Sequence, residues 1–84
     1  MANQGILGVK YWRESRGISL VQIAADTKLS MRFLGAIEDG EFSRLPGGVY
    51  DVNYIRQYAR AIQFDESQLL DCYQAARSGA VSGF

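Results

Sequence analysis

The sequence predicts an all-α domain of five helices. Apolar residues recur at spacings of three and four, a β-branched alternating run is absent, and a single Pro interrupts the 84 residues. Two capping boxes and several glycine stops then cut the chain into short helical segments.

The first segment runs from about Ile6 to Arg16, with Leu7, Val9, Tyr11 and Trp12 as its apolar side and Lys10, Arg13, Glu14 and Arg16 pointing outward. Gly17 supplies a left-handed stop. Ser19-Leu20-Val21-Gln22 reads as a capping box and opens a second helix, about Leu20 to Thr27, burying Leu20, Ile23 and Ala24. Ser30 is the N-cap of a third helix that reaches Asp39, with Phe33, Leu34 and Ile37 inward and Gly40 closing it. The connection that follows carries Pro46-Gly47-Gly48 turn chemistry, with Phe42 and Leu45 tucked beneath it. A fourth helix, about Asp51 to Ile62, places Val52, Ile55, Tyr58, Ala59 and Ile62 on one stripe. Asp65-Glu66-Ser67-Gln68 is the second capping box and starts a fifth helix through Leu69, Leu70 and Tyr73 to about Arg77. Residues 1–77 therefore form one helix-turn-helix domain, and residues 78–84 are read as a flexible tail.

Absences narrow the chemistry. The chain has no His, which removes the commonest general base and metal ligand, and Cys72 stands alone, which removes a disulfide and a cysteine zinc site. Neither clustered carboxylates nor a glycine-rich phosphate cradle is present, so the expectation is a non-enzymatic module without cofactor or metal. No stretch of 18 apolar residues occurs, so this chain is expected to be cytoplasmic and to carry no membrane span.

Nine Lys and Arg balance nine Asp and Glu. The balance is not uniform. Residues 1–37 hold five cations against two anions, a net of +3, and residues 38–51 hold Arg44 against four anions, a net of −3. A basic face over the first three helices suits phosphate contact, whereas an acidic loop after the third helix would repel it.

The second and third helices, joined by about three residues, form a helix-turn-helix unit, with Ala24 small at the crossing and Leu29 plugging the turn. The stretches Ala24 to Ser30, Leu34 to Tyr50 and Tyr54 to Arg60 resemble the cytoplasmic helix-turn-helix domain of RodZ and related bacterial proteins, within the Xre or lambda-repressor-like superfamily. Leu45-Pro46-Gly47-Gly48-Val49-Tyr50 is the most specific part. The resemblance covers about residues 7–73 and implies a five-helix, lambda-repressor-like domain. It also implies two different partners: Xre relatives bind double-stranded DNA as transcriptional regulators, and RodZ docks on the actin-like filament protein MreB.

For DNA, the third helix would enter the major groove, with Ser30, Met31, Arg32, Gly35, Ala36 and Asp39 outward. Arg32 can read guanine and Ser30 can reach phosphate or base, and Lys28, Ser30, Met31 and Arg32 are the candidate DNA contacts. An isolated monomer is expected to bind weakly. Gly35 is read as making room for a neighbouring helix. For a protein partner, the resemblance implies that Tyr54 and Tyr58 on the fourth helix make the contact, with Tyr54 standing where Phe is common. Arg56 and Arg60, one turn apart, either meet an acidic partner surface or merely solvate the helix. DNA binding is put first and the MreB-type adaptor second.

Overall fold

The computed structural model describes residues 6–78. Its helices are α1 (Val9–Ser15), α2 (Leu20–Thr27), α3 (Met31–Asp39), α4 (Val49–Ala61) and α5 (Glu66–Ser78). Short 3-10 turns at Ile6–Gly8 and Phe42–Arg44 precede α1 and follow α3, and no strand occurs among the described residues.

Local sequence sets most boundaries. Ser19 Oγ accepts from the Gln22 amide at 3.1 Å, which starts α2. Ser30 Oγ accepts from the Arg32 amide at 3.0 Å, which starts α3. Lys28 turns into the left-handed region (φ 66°) to end α2, while the Thr27 hydroxyl donates to Ile23 O and accepts from Leu29 N. Three residues thus form the α2–α3 corner, and Leu29 plugs it as expected.

Three boundaries differ from the sequence reading. Helix α1 begins at Val9 instead of Ile6, because Leu7 and Gly8 both lie at positive φ, and Leu7 and Tyr11 of its expected apolar side are exposed. Helix α4 begins at Val49, and Asp51 of its first turn accepts from Gly47 N at 2.7 Å, closing the Pro-Gly-Gly loop. At α5, Asp65 Oδ1 accepts from the Ser67 amide and hydroxyl, and these bonds, followed by weaker ones from the Gln68 backbone and side chain, hold its carboxyl below the usual range, as the second capping box leads one to expect. Ser78, the expected first residue of the tail, belongs to α5, and residues 79–84 lie outside the described residues.

The core gathers Val9, Ile23, Leu34, Ile37, Ile55, Tyr58, Ile62 and Leu69, all at most 1% exposed. Phe42 and Leu45 seal its lower end beside Tyr73, with the Phe42 and Tyr73 rings edge to face at 5.4 Å. Trp12 ties α1 to the end of α4 by donating from Nε1 to Ile62 O at 2.7 Å.

Gly40 has the most demanding backbone. It sits at φ 75° as the left-handed cap of α3, and a Cβ there would run into the Ile6 side chain. Gly40→Ala is expected to lower stability by about 2 kcal/mol, read from urea unfolding followed by Trp12 fluorescence. An unchanged midpoint would refute this account of the α3 terminus.

Candidate functional site

A buried polar triad fixes how the helices present their outer faces. Arg13 on α1 donates from Nε to Glu38 Oε2 at 2.6 Å and from an η nitrogen to Ile18 O at 2.8 Å. Tyr58 on α4 donates its hydroxyl to the same Glu38 oxygen at 2.9 Å. All three side chains are buried, so α1, α3 and α4 are pinned through one carboxylate. The Glu38 hydrogen bonds hold the Arg13 charge and raise its pKa against the opposing effect of burial. Burial, and then the Glu38 charge, drive the Tyr58 hydroxyl far above the ordinary tyrosine range.

This triad corrects two expectations. Arg13 points inward and is not part of a basic face. Tyr58 is fully buried, so no partner touches it while this fold is intact.

The turn before α3 presents the candidate DNA contacts. Lys28, Ser30, Met31 and Arg32 are all exposed, and Lys28 and Arg32 form no ion pair among the described residues. Ser30 Oγ is already engaged as the α3 cap. Ala36, expected on the outer face, is buried. A Cβ on Gly35 would meet nothing within 4 Å, so Gly35 does not make room for another helix.

The regional charges also shrink. Setting aside the Arg13–Glu38 pair leaves +2 in residues 1–37 and −2 in residues 38–51. Asp51 is buried with Tyr73 donating to it at 2.7 Å, and Glu41 pairs with Arg44 at 3.1 Å. Asp39 is then the exposed, unpaired anion of that acidic segment.

A second surface is aromatic. Phe33 on α3 stacks on Tyr54 of α4 at 5.7 Å between centroids, and Tyr54 meets Tyr50 at 6.2 Å. Tyr50 is 60% exposed and its neighbour Val49 is 80% exposed. Leu7, Tyr11, Val21 and Met31 are the other exposed large apolar side chains among the described residues. Sequence reasoning named Tyr54 but missed Tyr50 and Val49. The i, i+4 pairing of Tyr50 with Tyr54 was the available signal. Because Arg32 directly precedes Phe33, the α3 tip and the aromatic ladder adjoin.

Arg56 and Arg60 lie elsewhere. Both reach across to Glu66 on α5, at 3.8 and 2.7 Å, so their charge already has an internal partner. At their exposure such pairs contribute about 0 to 1 kcal/mol.

No helix among the described residues is long and apolar enough to cross a membrane. The chain matches the family model described as a helix-turn-helix domain over residues 10–69. It is 39% identical over 54 residues to the uncharacterized membrane protein YmfM of Bacillus subtilis, covering 64% of this chain and 19% of that protein. It is 30% identical over 63 residues to the cytoskeleton protein RodZ of Streptococcus pneumoniae, covering 75% of this chain and 23% of that protein. The chain therefore spans about a fifth of the length of these relatives. No solved structure matches it. With a helix-turn-helix corner plugged by Leu29, five helices and these similarities, the chain belongs to the helix-turn-helix domain family and is a RodZ-like member of it.

Proposed function

We propose that this domain is a protein-docking module that binds an actin-like filament of the MreB kind through the ladder Phe33, Tyr54 and Tyr50. The observation that carries the reading is the exposed Tyr50 against a half-buried Tyr54 that stacks on Phe33, a rigid aromatic surface of the type that dominates protein interfaces. Similarity to a protein named for the cytoskeleton supports the same choice. The filament reading places the domain on the cytoplasmic side. Tyr54→Ala is expected to weaken co-sedimentation with the host's filaments by about thirtyfold, the cost of truncating a central aromatic anchor. Parent-like binding by a folded Tyr54→Ala variant overturns the reading.

Duplex DNA is the second reading, favoured by Lys28 at the α2–α3 corner and Arg32 in the first turn of α3, both exposed and without an ion pair among the described residues. Its signature is duplex binding that falls steeply with salt and weakens in Arg32→Ala.

A further inference from the structure

Beyond the aromatic ladder, α2 and α4 leave a groove of about 350 Å³ between them. Ile18, Ile23 and Ala61 make an apolar floor. Asp26, Gln22 and Gln57 stand at the rim together with Arg60. The rim cation is occupied, because Arg60 Nε donates to Glu66 at 2.7 Å. Asp26 is different: it is exposed, and its carboxylate has no hydrogen bond or ion pair among the described residues. The groove thus combines an apolar floor with one unanswered negative charge and two amide oxygens.

That combination selects a side chain with a long aliphatic stem and a cationic end. A Lys or Arg stem lies along apolar surface while its head group stays at the rim, where a carboxylate and amide oxygens accept from it. A carboxylate ligand would be repelled by Asp26, and a purely apolar one would leave Asp26 with no partner.

The position of the groove gives its occupant a spacing. Tyr50, Tyr54, Gln57 and Ala61 fall at i, i+4, i+7 and i+11, one strip along α4. Tyr54 and Ala61 are about 10 Å apart along the helix axis. A partner helix lying along this strip presents an apolar residue to the ladder and, about two turns away, a basic residue to the groove.

We propose that the α2–α4 groove is a lysine or arginine subsite for a basic residue on the docked partner, an inference that rests on the protein-docking reading. Opposite charge at the edge of an apolar contact fixes register and orientation more than it adds raw affinity.

Two measurements test it. In the first, the isotope-labelled 84-residue chain is titrated with n-hexylammonium chloride and, separately, with sodium hexanoate, probes of equal stem length and opposite charge. Saturable amide shifts at Ile18, Gln22, Asp26 and Ala61 are expected with hexylammonium alone, and Asp26→Asn is expected to abolish them. No shifts, or equal shifts with both probes, overturn the subsite. In the second, Asp26→Lys is compared with Tyr54→Ala in filament co-sedimentation, with circular dichroism confirming that each variant is folded. Asp26→Lys is expected to weaken binding about tenfold. If Tyr54→Ala abolishes binding while Asp26→Lys binds like the parent, the subsite is overturned and the filament reading stands. If Tyr54→Ala binds like the parent but hexylammonium still binds selectively through Asp26, the filament reading falls and the basic subsite stands.

Discussion

Arg13→Met and Glu38→Leu, made singly, are each expected to lower stability by about 3 to 5 kcal/mol, because each leaves the opposite charge buried without its partner. For a domain of this size, whose total stability is on the order of 5 to 10 kcal/mol, either variant approaches the unfolded state at ordinary temperature. The triple variant Arg13→Met, Glu38→Leu, Tyr58→Phe is expected to behave quite differently. It removes both charges and the hydroxyl that donates to Glu38, so the buried polar groups of the triad disappear together. Ile18 O loses the Arg13 donor, but Ile18 is only half-buried and water can replace that bond. The triple variant should therefore lie within about 1 to 2 kcal/mol of the parent, against a sum of single losses several times larger. Urea unfolding followed by Trp12 fluorescence measures all of these. Additive losses across the set would show that the three side chains are not coupled through Glu38.

This triad also marks where the sequence stopped being readable. The helix-turn-helix corner, the core residues Leu34, Ile37, Ile55, Ile62 and Leu69, and the caps at Ser19 and Ser30 follow from apolar periodicity and local hydrogen bonding. Such signals act within one or two helical turns, and the sequence displays them directly. Arg13 and Glu38 were misread or passed over because a charged residue on a helix is ordinarily solvated. Their positions held the contrary signal: Arg13 lies four residues after Val9, and Glu38 four after Leu34, so each continues a stripe whose aliphatic member is fully buried. Opposite charges on two inward stripes imply a pair, but only the packing of α1 against α3 brings them together.

Tyr58 was misplaced for a related reason. Its resemblance to a docking aromatic and its place on the core stripe pointed in opposite directions, and burial decides for the core. Conversely, Tyr50 and Val49 were read as part of a loop motif. Helix α4 starts two residues earlier than expected, and that start turns both side chains onto a helical surface, with Tyr50 beside Tyr54. The regional charge of +3 and −3 had the same flaw, since it counted Arg13 and Glu38 as surface groups when each neutralises the other.

Alkaline pH is expected to expose the second large energetic feature, the buried tyrosines. Burial and then the Glu38 charge oppose ionisation of Tyr58, and burial and then the Asp51 hydrogen bond oppose that of Tyr73. In the unfolded chain both hydroxyls ionise near pH 10. Their raised folded-state pKa values mean that the native protein keeps protons the unfolded chain has released. Their contribution to stability is therefore intact below about pH 10 and is lost as pH rises above it, by up to about 1.4 kcal/mol per pH unit for Tyr58, with Tyr73 adding in the same direction. Unfolding in urea should give a steady stability from about pH 8 to about pH 10, then a loss of more than about 1 kcal/mol by about pH 11. Tyr58→Phe lowers the whole curve, because Glu38 loses a donor, but it should make the alkaline slope shallower. An alkaline slope unchanged by Tyr58→Phe would show that the Tyr58 hydroxyl ionises as readily in the folded domain as in the unfolded chain, which its burial against a carboxylate forbids.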